Sequence, residues 1–173
     1  MFQLSKSFIN RPLLSLRTGS PIGVAVRPII NPSNLKIEGW YVEEHHNKDP
    51  MILLAKDLRD IIVRGLIVDD SDVLARPNEL LRLQDVLKID FQPIGKAVIS
   101  NHRRHIGKVG DYAVEMDSLF IQKLYVEQSL FRSLSDGQLS IDRSQIVEIS
   151  PKRIVVTEPD EKVSAPAAMP AGA

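Results

Sequence analysis

Residues 22–43, IGVAVRPIINPSNLKIEGWYVE, recur as residues 106–127, IGKVGDYAVEMDSLFIQKLYVE, with no gap and a constant offset of 84. Seven of these 22 columns are identical: Ile22/Ile106, Gly23/Gly107, Leu35/Leu119, Ile37/Ile121, Tyr41/Tyr125, Val42/Val126 and Glu43/Glu127. Roughly one or two would match by chance at average composition. After a loop four residues longer in the second copy, the match resumes at an offset of 88. There Leu53, Leu58, Ile61, Leu66, Ile67 and Val68 face Ile141, Ile146, Ile149, Ile154, Val155 and Val156. The chain is an internal duplication, and one copy is the unit of the fold.

Each copy reads as short strands punctuated by turns. In the first, Thr-Gly-Ser-Pro at 18–21 and Asn-Pro-Ser-Asn at 31–34 separate apolar runs; proline fixes φ and asparagine tolerates left-handed backbone. The second repeats the order, with turns at 101–104 and 116–118. Strands of this length with regular turns predict two tandem small antiparallel β-barrels of about six strands each, so the fold class is mostly β. Residues 77–87, PNELLRLQDVL, place Leu80, Leu81, Leu83 and Leu87 behind a first-turn proline and predict a short linking helix. Beyond Thr157 the chain is Glu, Asp, Pro and Ala, a composition expected to stay disordered. The expected organisation is an N-terminal segment (1–10), a first barrel (11–72), a linker with the helix (73–90), a second barrel (91–158) and a tail (159–173).

Composition narrows the function classes. Of 173 residues 43% are apolar, enough for a core. Lys plus Arg equals Asp plus Glu at 22 each, and neither copy is a basic module, which argues against direct nucleic-acid binding. There is no cysteine, which removes disulfides, thiolate metal sites and cysteine nucleophiles together. The first ten residues are too polar for a signal peptide, and no apolar run reaches the roughly 20 residues of a membrane span. A cytoplasmic protein is expected.

No catalytic or metal-binding constellation emerges. His45-His46 and His102 with His105 sit in turns without the third and fourth ligands a metal site needs. Asp69-Asp70-Ser71-Asp72 has Leu74 and Leu80 where a calcium loop needs glycine and a bidentate glutamate. No phosphate-cradling or nucleophile-elbow pattern occurs. No cofactor, metal or catalytic residue is assigned, and the chain is read as non-enzymatic. Arg103, Arg104 and Lys108 form the densest basic turn, a candidate contact for phosphate, RNA or an acidic partner, although it lacks the aromatic residues that stack bases.

Strict alternation along residues 119–127 puts Leu119, Ile121 and Tyr125 on one face and Phe120, Leu124 and Val126 on the other. The matching strand has Leu35, Ile37 and Tyr41 opposed to Trp40 and Val42. A strand with one buried face should not be apolar on both. Trp40, Phe120 and Leu124, with Leu130 and Phe131 in the adjoining apolar loop, are therefore candidate contacts to a partner protein, to a second copy in a homodimer, or between the barrels. Gly23 and Gly107 are read as structural turn residues.

Ile-Gly-Lys-Val-Gly-Asp at 106–111, with Ile121 about ten residues on in a long strand, resembles the signature of PRC-barrel domains. Asn-Pro-Ser-Asn-Leu-Lys-Ile at 31–37 resembles the turn and strand that follow in that family. Val26-Arg27-Pro28 departs from it, standing where the family usually has Val-x-Asp. The resemblance covers residues 11–158 in two units and implies mostly antiparallel barrels of about six strands. The family includes the C-terminal domain of a ribosome maturation factor and the cytoplasmic part of a photosynthetic reaction-centre subunit. It implies a docking module, and the expected function is a cytoplasmic adaptor that binds protein through its barrel surfaces. Two alternatives are a ribosome- or RNA-processing-associated factor docking on a ribosomal protein, and a small-ligand-binding domain.

Overall fold

The computed structural model describes residues 1–128 and 138–157. The chain is mostly β. A short first strand, β1 (Phe2–Leu4), precedes β2 (Arg11–Ser15), β3 (Pro21–Asn31), β4 (Lys36–Glu44), β5 (Met51–Leu54), β6 (Leu58–Ile62) and β7 (Gly65–Val68). After one six-residue helix, α1 (Gln84–Ile89), come β8 (Ala97–Ser100), β9 (His105–Glu115), β10 (Ile121–Gln128), β11 (Leu139–Asp142), β12 (Ile146–Ile149) and β13 (Arg153–Val156). The first copy forms a sheet in the order β5-β4-β3-β2-β7-β6, the second in the order β11-β10-β9-β8-β13-β12. The two orders are the same topology. Each is antiparallel except for one parallel pair, β2 with β7 and β8 with β13.

The expectation of two closed barrels is corrected: these are two open sheets, one of them curled into a half-barrel. Closure would need β5 to pair with β6 and β11 with β12, and neither pairing exists. Those edge strands are only four or five residues long. The β6 and β12 edges instead lie beside a turn of the other copy, an arrangement that shields an edge without sealing a barrel.

The linker also differs from its expected form. Residues 77–79 and 81–83 are separate 3-10 turns, and the α-helix begins only at Gln84. Leu80 breaks helical geometry at φ −94° and ψ 67°. The Gln84 side chain donates to the carbonyls of Pro77 and Leu80, at 2.6 and 3.3 Å, and so takes acceptors a continuous helix would have used.

The two copies exchange their leading segments. β1, which leads into the first sheet, pairs with β9 of the second: Phe2 opposite Glu115, Gln3 opposite Val114, Leu4 opposite Ala113. The Ser5 amide then donates to Asp111 Oδ1 at 3.2 Å. In the reverse sense, the end of α1 is fastened to the first sheet. Asp90 accepts two bonds from Arg27, at 2.6 and 3.0 Å, and Gln92 donates to the Pro28 carbonyl at 3.3 Å. Arg27 and Asp111 are equivalent at the offset of 84, so the same position in each copy anchors the other's leading segment. One hydrophobic cluster accordingly runs through both copies, from Phe8 and Trp40 to Phe91 and Tyr112.

The strand faces read by alternation are corrected too. Ile121, Leu124 and Val126 are all buried, as are Ile37, Trp40 and Val42. The pairing of β10 with β9 shifts register between Ile121 and Lys123, and β4 shifts against β3 next to Gly39. One extra residue in a strand moves everything beyond it to the opposite face. Much of the apparent apolar excess was a phase change: Ile121, Leu124 and Val126 all point into the core, while Phe120, Tyr41 and Tyr125 are only half-buried. Large and small residues compensate across the equivalent sites, Trp40 opposite Pro28 in one sheet and Leu124 opposite Tyr112 in the other.

Candidate functional site

The two copies meet at equivalent residues. Lys36 and Phe120, related by the offset of 84, form an antiparallel bridge. The Ile37 amide donates to the Leu119 carbonyl and the Ile121 amide to the Leu35 carbonyl, both at 2.9 Å. Exchanging the two copies turns either bond into the other, the signature of a two-fold relationship inside one chain. The turns that make this possible are also matched. Leu35 and Leu119 both adopt left-handed backbone, φ 57° and 58°, each closing a turn through an amide bond of 2.8 Å to Asn31 or Glu115. Burial of both leucines holds them in a geometry that asparagine or glycine would more readily adopt.

Phe120 is the ring on this seam. Arg143 lies 4.3 Å from its centroid and the Lys36 ammonium 5.7 Å, so a cation from each copy faces it. Arg143 also donates to the Asn34 carbonyl at 2.8 Å, tying the second copy to the first copy's turn.

On either side of the seam lies a cleft, and the two clefts are counterparts. One, of about 380 Å³, runs between the turn at 32–35 and the edge strand β12 with Arg143. The other, of about 330 Å³, runs between Met116, Asp117 and Leu119 and the edge strand β6 with Ala55. Their chemistry differs. On β6, Arg59 is held by Asp69, with Nε–Oδ1 at 2.9 Å and a second, shorter contact from Nη2, and this bond holds the Asp69 carboxyl below its ordinary pKa. At the corresponding place on β12 stands Val147, 60% exposed.

Another cleft, of about 540 Å³, lies beside Arg27 and Tyr41. Arg27 stacks 4.2 Å over the Tyr41 ring, and its bond to Asp90 raises its pKa, while burial raises that of the Tyr41 hydroxyl. That guanidinium is already committed to the interchange between the copies.

The sequence-predicted residues fall in different places. Trp40 and Leu124 are fully buried and present nothing to a partner from outside. Phe120 is half-buried on the seam, and Leu130 and Phe131 lie outside the described residues. Arg103 and Lys108 are exposed, Arg103 at φ 63° in the β8–β9 turn, and Arg104 is half-buried. The buried Ser100 organises that turn by accepting the Arg104 amide at 3.1 Å, as Ser15 does for Thr18 in the first copy. Gly23 and Gly107 are not turn residues but close approaches within strands. A Cβ on Gly23 would lie 2.5 Å from the Glu43 carbonyl oxygen, and one on Gly107 would meet the Glu127 carbonyl.

His45, His46, His102 and His105 are all exposed, and among the described residues no three potential metal ligands gather. Two members of the acidic run are engaged in ion pairs, Asp69 with Arg59 and the buried Asp70 with Arg17. Sequence reading passed over Arg143 and Val147. The signal for Val147 was available, since the offset of 88 sets it against Arg59 and makes one edge apolar where its twin is charged.

No protein-family model matches the chain, and no curated protein matches it. Among the described residues no helix is long and apolar enough to cross a membrane.

Proposed function

We propose that this chain is a non-enzymatic adaptor of the cytoplasm, with two PRC-barrel-like copies that bind protein partners through the surfaces of their sheets. The observation that carries the reading is the unequal pair of clefts. A duplication that served only stability would have no use for an edge guarded by an ion pair in one copy and left apolar at Val147 in the other. Exposed apolar edges are costly to solubility and are kept where something binds them. The inward roles of Trp40 and Leu124 move the binding surface from the strand faces to the strand edges.

The test is a pull-down with the tagged full-length chain from its source cell, with and without ribonuclease, read by mass spectrometry. A reproducible partner retained after ribonuclease supports the adaptor reading. An empty bait, combined with a metabolite-specific rise in melting temperature, would overturn it in favour of a small-ligand protein.

A further inference from the structure

We infer that the hairpin tip between β8 and β9 is a docking site for an acidic segment of a partner protein, a short run of aspartates and glutamates. The inference rests on the protein-binding reading above and gives the partner its chemistry. Gly19 in the first copy and Arg103 in the second hold the same place in matching hairpins. Each lies just before the residue whose carbonyl takes the Ser15 or Ser100 amide, and each donates its own amide to that serine's carbonyl at 2.9 Å. Both adopt left-handed backbone, φ 68° and 63°. Glycine takes that geometry without strain and arginine does not. The second copy thus tolerates backbone strain to keep a guanidinium at its tip. Arg103 is exposed there and has no ion pair among the described residues.

The neighbouring positions differ in the same direction. At the offset of 84, Thr18, Ser20, Pro21 and Val24 have His102, Arg104, His105 and Lys108 as counterparts. The first tip's own cation, Arg17, is already paired with the buried Asp70. β9 slips against β8 between Gly107 and His105, and a cleft of about 230 Å³ brings His105 and Lys108 together with Gly107, Glu127 and Gln128. Glu127 is the acidic group on this rim, and its counterpart Glu43 is present in the first copy, so what distinguishes the second is positive charge. The Glu127 carboxylate leans over Gly110, with Oε1 2.6 Å from where a Cβ would stand, and forms no ion pair with Lys108. Cations gathered on one hairpin tip select an anion. Two features favour the carboxylates of a peptide over other polyanions. Residues 101–105 include no aromatic side chain to stack on a base and no apolar one to enter a bilayer. The matching tip of the first copy adds no unpaired cation, so the two hairpins do not make the repeated contacts that hold a nucleic-acid backbone.

The test titrates the isotope-labelled full-length chain at low salt with two capped hexapeptides, Gly-Asp-Glu-Asp-Glu-Gly and its amide twin Gly-Asn-Gln-Asn-Gln-Gly, followed by amide chemical shifts. The acidic peptide is expected to shift residues 101–108 and 127–128 saturably, to bind at least about ten-fold tighter than its twin, and to weaken as salt rises. Arg103→Gly, which copies the first tip, is expected to weaken it at least about five-fold while the melting temperature holds or rises, because the left-handed strain is relieved. Lys108→Gln is expected to weaken it by a similar factor. Shifts centred elsewhere, an affinity indifferent to Arg103→Gly, or no response at millimolar peptide would overturn the inference. So would tighter binding of a uridylate decamer or of phosphatidylserine vesicles, which assigns the tip to nucleic acid or to a membrane. The chain's own acidic residues need a separate arm. The Asn101 amide donates to the Val156 carbonyl at 2.8 Å, and the sequence after Thr157 begins Glu-Pro-Asp-Glu. If the peptide binds only a chain carrying Glu158→Gln, Asp160→Asn and Glu161→Gln, the tip belongs to the C-terminal segment and the inference falls; binding to the wild-type chain upholds it. A cellular partner captured equally by wild type and Arg103→Gly sinks this site while leaving the adaptor reading intact; no partner at all sinks the adaptor reading.

Discussion

Lys36 and Phe120 hold the same place in the two copies and face each other across the seam, each directly after its own left-handed leucine. The bridge is flanked by two equal hydrogen bonds running in opposite senses. A single chain thus contains an interface of the kind that symmetric dimers use. Fusion makes the effective concentration of the two halves high and lets the copies diverge, which the β6 and β12 edges have done.

The seam predicts a measurable coupling. Arg143→Ala removes a hydrogen bond to Asn34 and the cation over Phe120, and is expected to cost about 1–2 kcal/mol in urea unfolding. Phe120→Ala is expected to cost a similar amount. The double variant should fall short of the sum by about 0.5–1 kcal/mol, because both remove one stacking contact. Strict additivity would mean that the ring and the guanidinium do not interact.

Tyr112 offers a substitution in the opposite direction. Its hydroxyl is buried with no hydrogen-bond partner among the described residues, and burial raises its pKa well above the usual tyrosine value. The folded protein therefore resists ionising a group that the unfolded chain ionises near pH 10, so stability is present below that pH and is lost as pH rises beyond it. Tyr112→Phe is expected to be neutral or stabilising by up to about 1 kcal/mol near pH 7, and to flatten the alkaline fall. A clear loss of stability at neutral pH would show that the hydroxyl is bonded.

The repeat, the succession of strands and turns along each copy and the break between offsets of 84 and 88 were legible because apolar spacing and turn chemistry are written locally. What misled was phase. A bulge leaves little trace in composition, and a single one beside Gly39 was enough to send Trp40 from an imagined outer face into the core. Gly39 itself was the clue, since glycine inside a strand often marks such a bulge. The exchange of leading segments was illegible for a different reason. Which sheet β1 joins depends on contacts more than 100 residues away, and nothing in the four residues at the N-terminus distinguishes the near sheet from the far one.

Asp69 gives an acid-side prediction. The Arg59 bond lowers its pKa below 3.8, so the stability it contributes is present above the unfolded value and is lost as pH falls through the folded one. Arg59→Ala should return the Asp69 carboxyl to its ordinary titration, followed by carbon chemical shifts, and should weaken the pH dependence of unfolding below about pH 4. An Asp69 titration unchanged by Arg59→Ala would rule out the bond in solution.

Gly107 tests whether the strands approach as closely as described. A Cβ there would meet the Glu127 carbonyl, which belongs to the β10 backbone and cannot swing away as a side chain would. Gly107→Ala is expected to destabilise by about 1–3 kcal/mol, through displacement of β10 against β9. Gly19→Ala is the contrast. Nothing lies within 4 Å of a Cβ there, and its cost should come only from the positive φ of 68°. A loss at Gly107 no larger than that at Gly19 would show that β10 gives way there at little cost and that the approach is not tight.

The exchanged strand β1 carries the last prediction. Phe2 and Leu4 are largely exposed, so β1 adds little to the core and acts chiefly through its ladder to β9 and the Met116 amide bond to the Met1 carbonyl at 2.9 Å. Gln3→Pro places a residue with no N–H in the middle of that ladder. If β1 is a working member of the second sheet, amide exchange at Val114, opposite Gln3, and at Met116, bonded to Met1, should accelerate by at least about ten-fold while the first sheet's β2 and β7 keep their protection. The distance in sequence makes the outcome diagnostic: a substitution at position 3 would loosen residues around 114 and spare residues 11–15, its neighbours along the chain. Loosening of β2 first would mean that the N-terminal segment serves the copy it precedes, and that the exchange between copies contributes nothing to holding the second sheet.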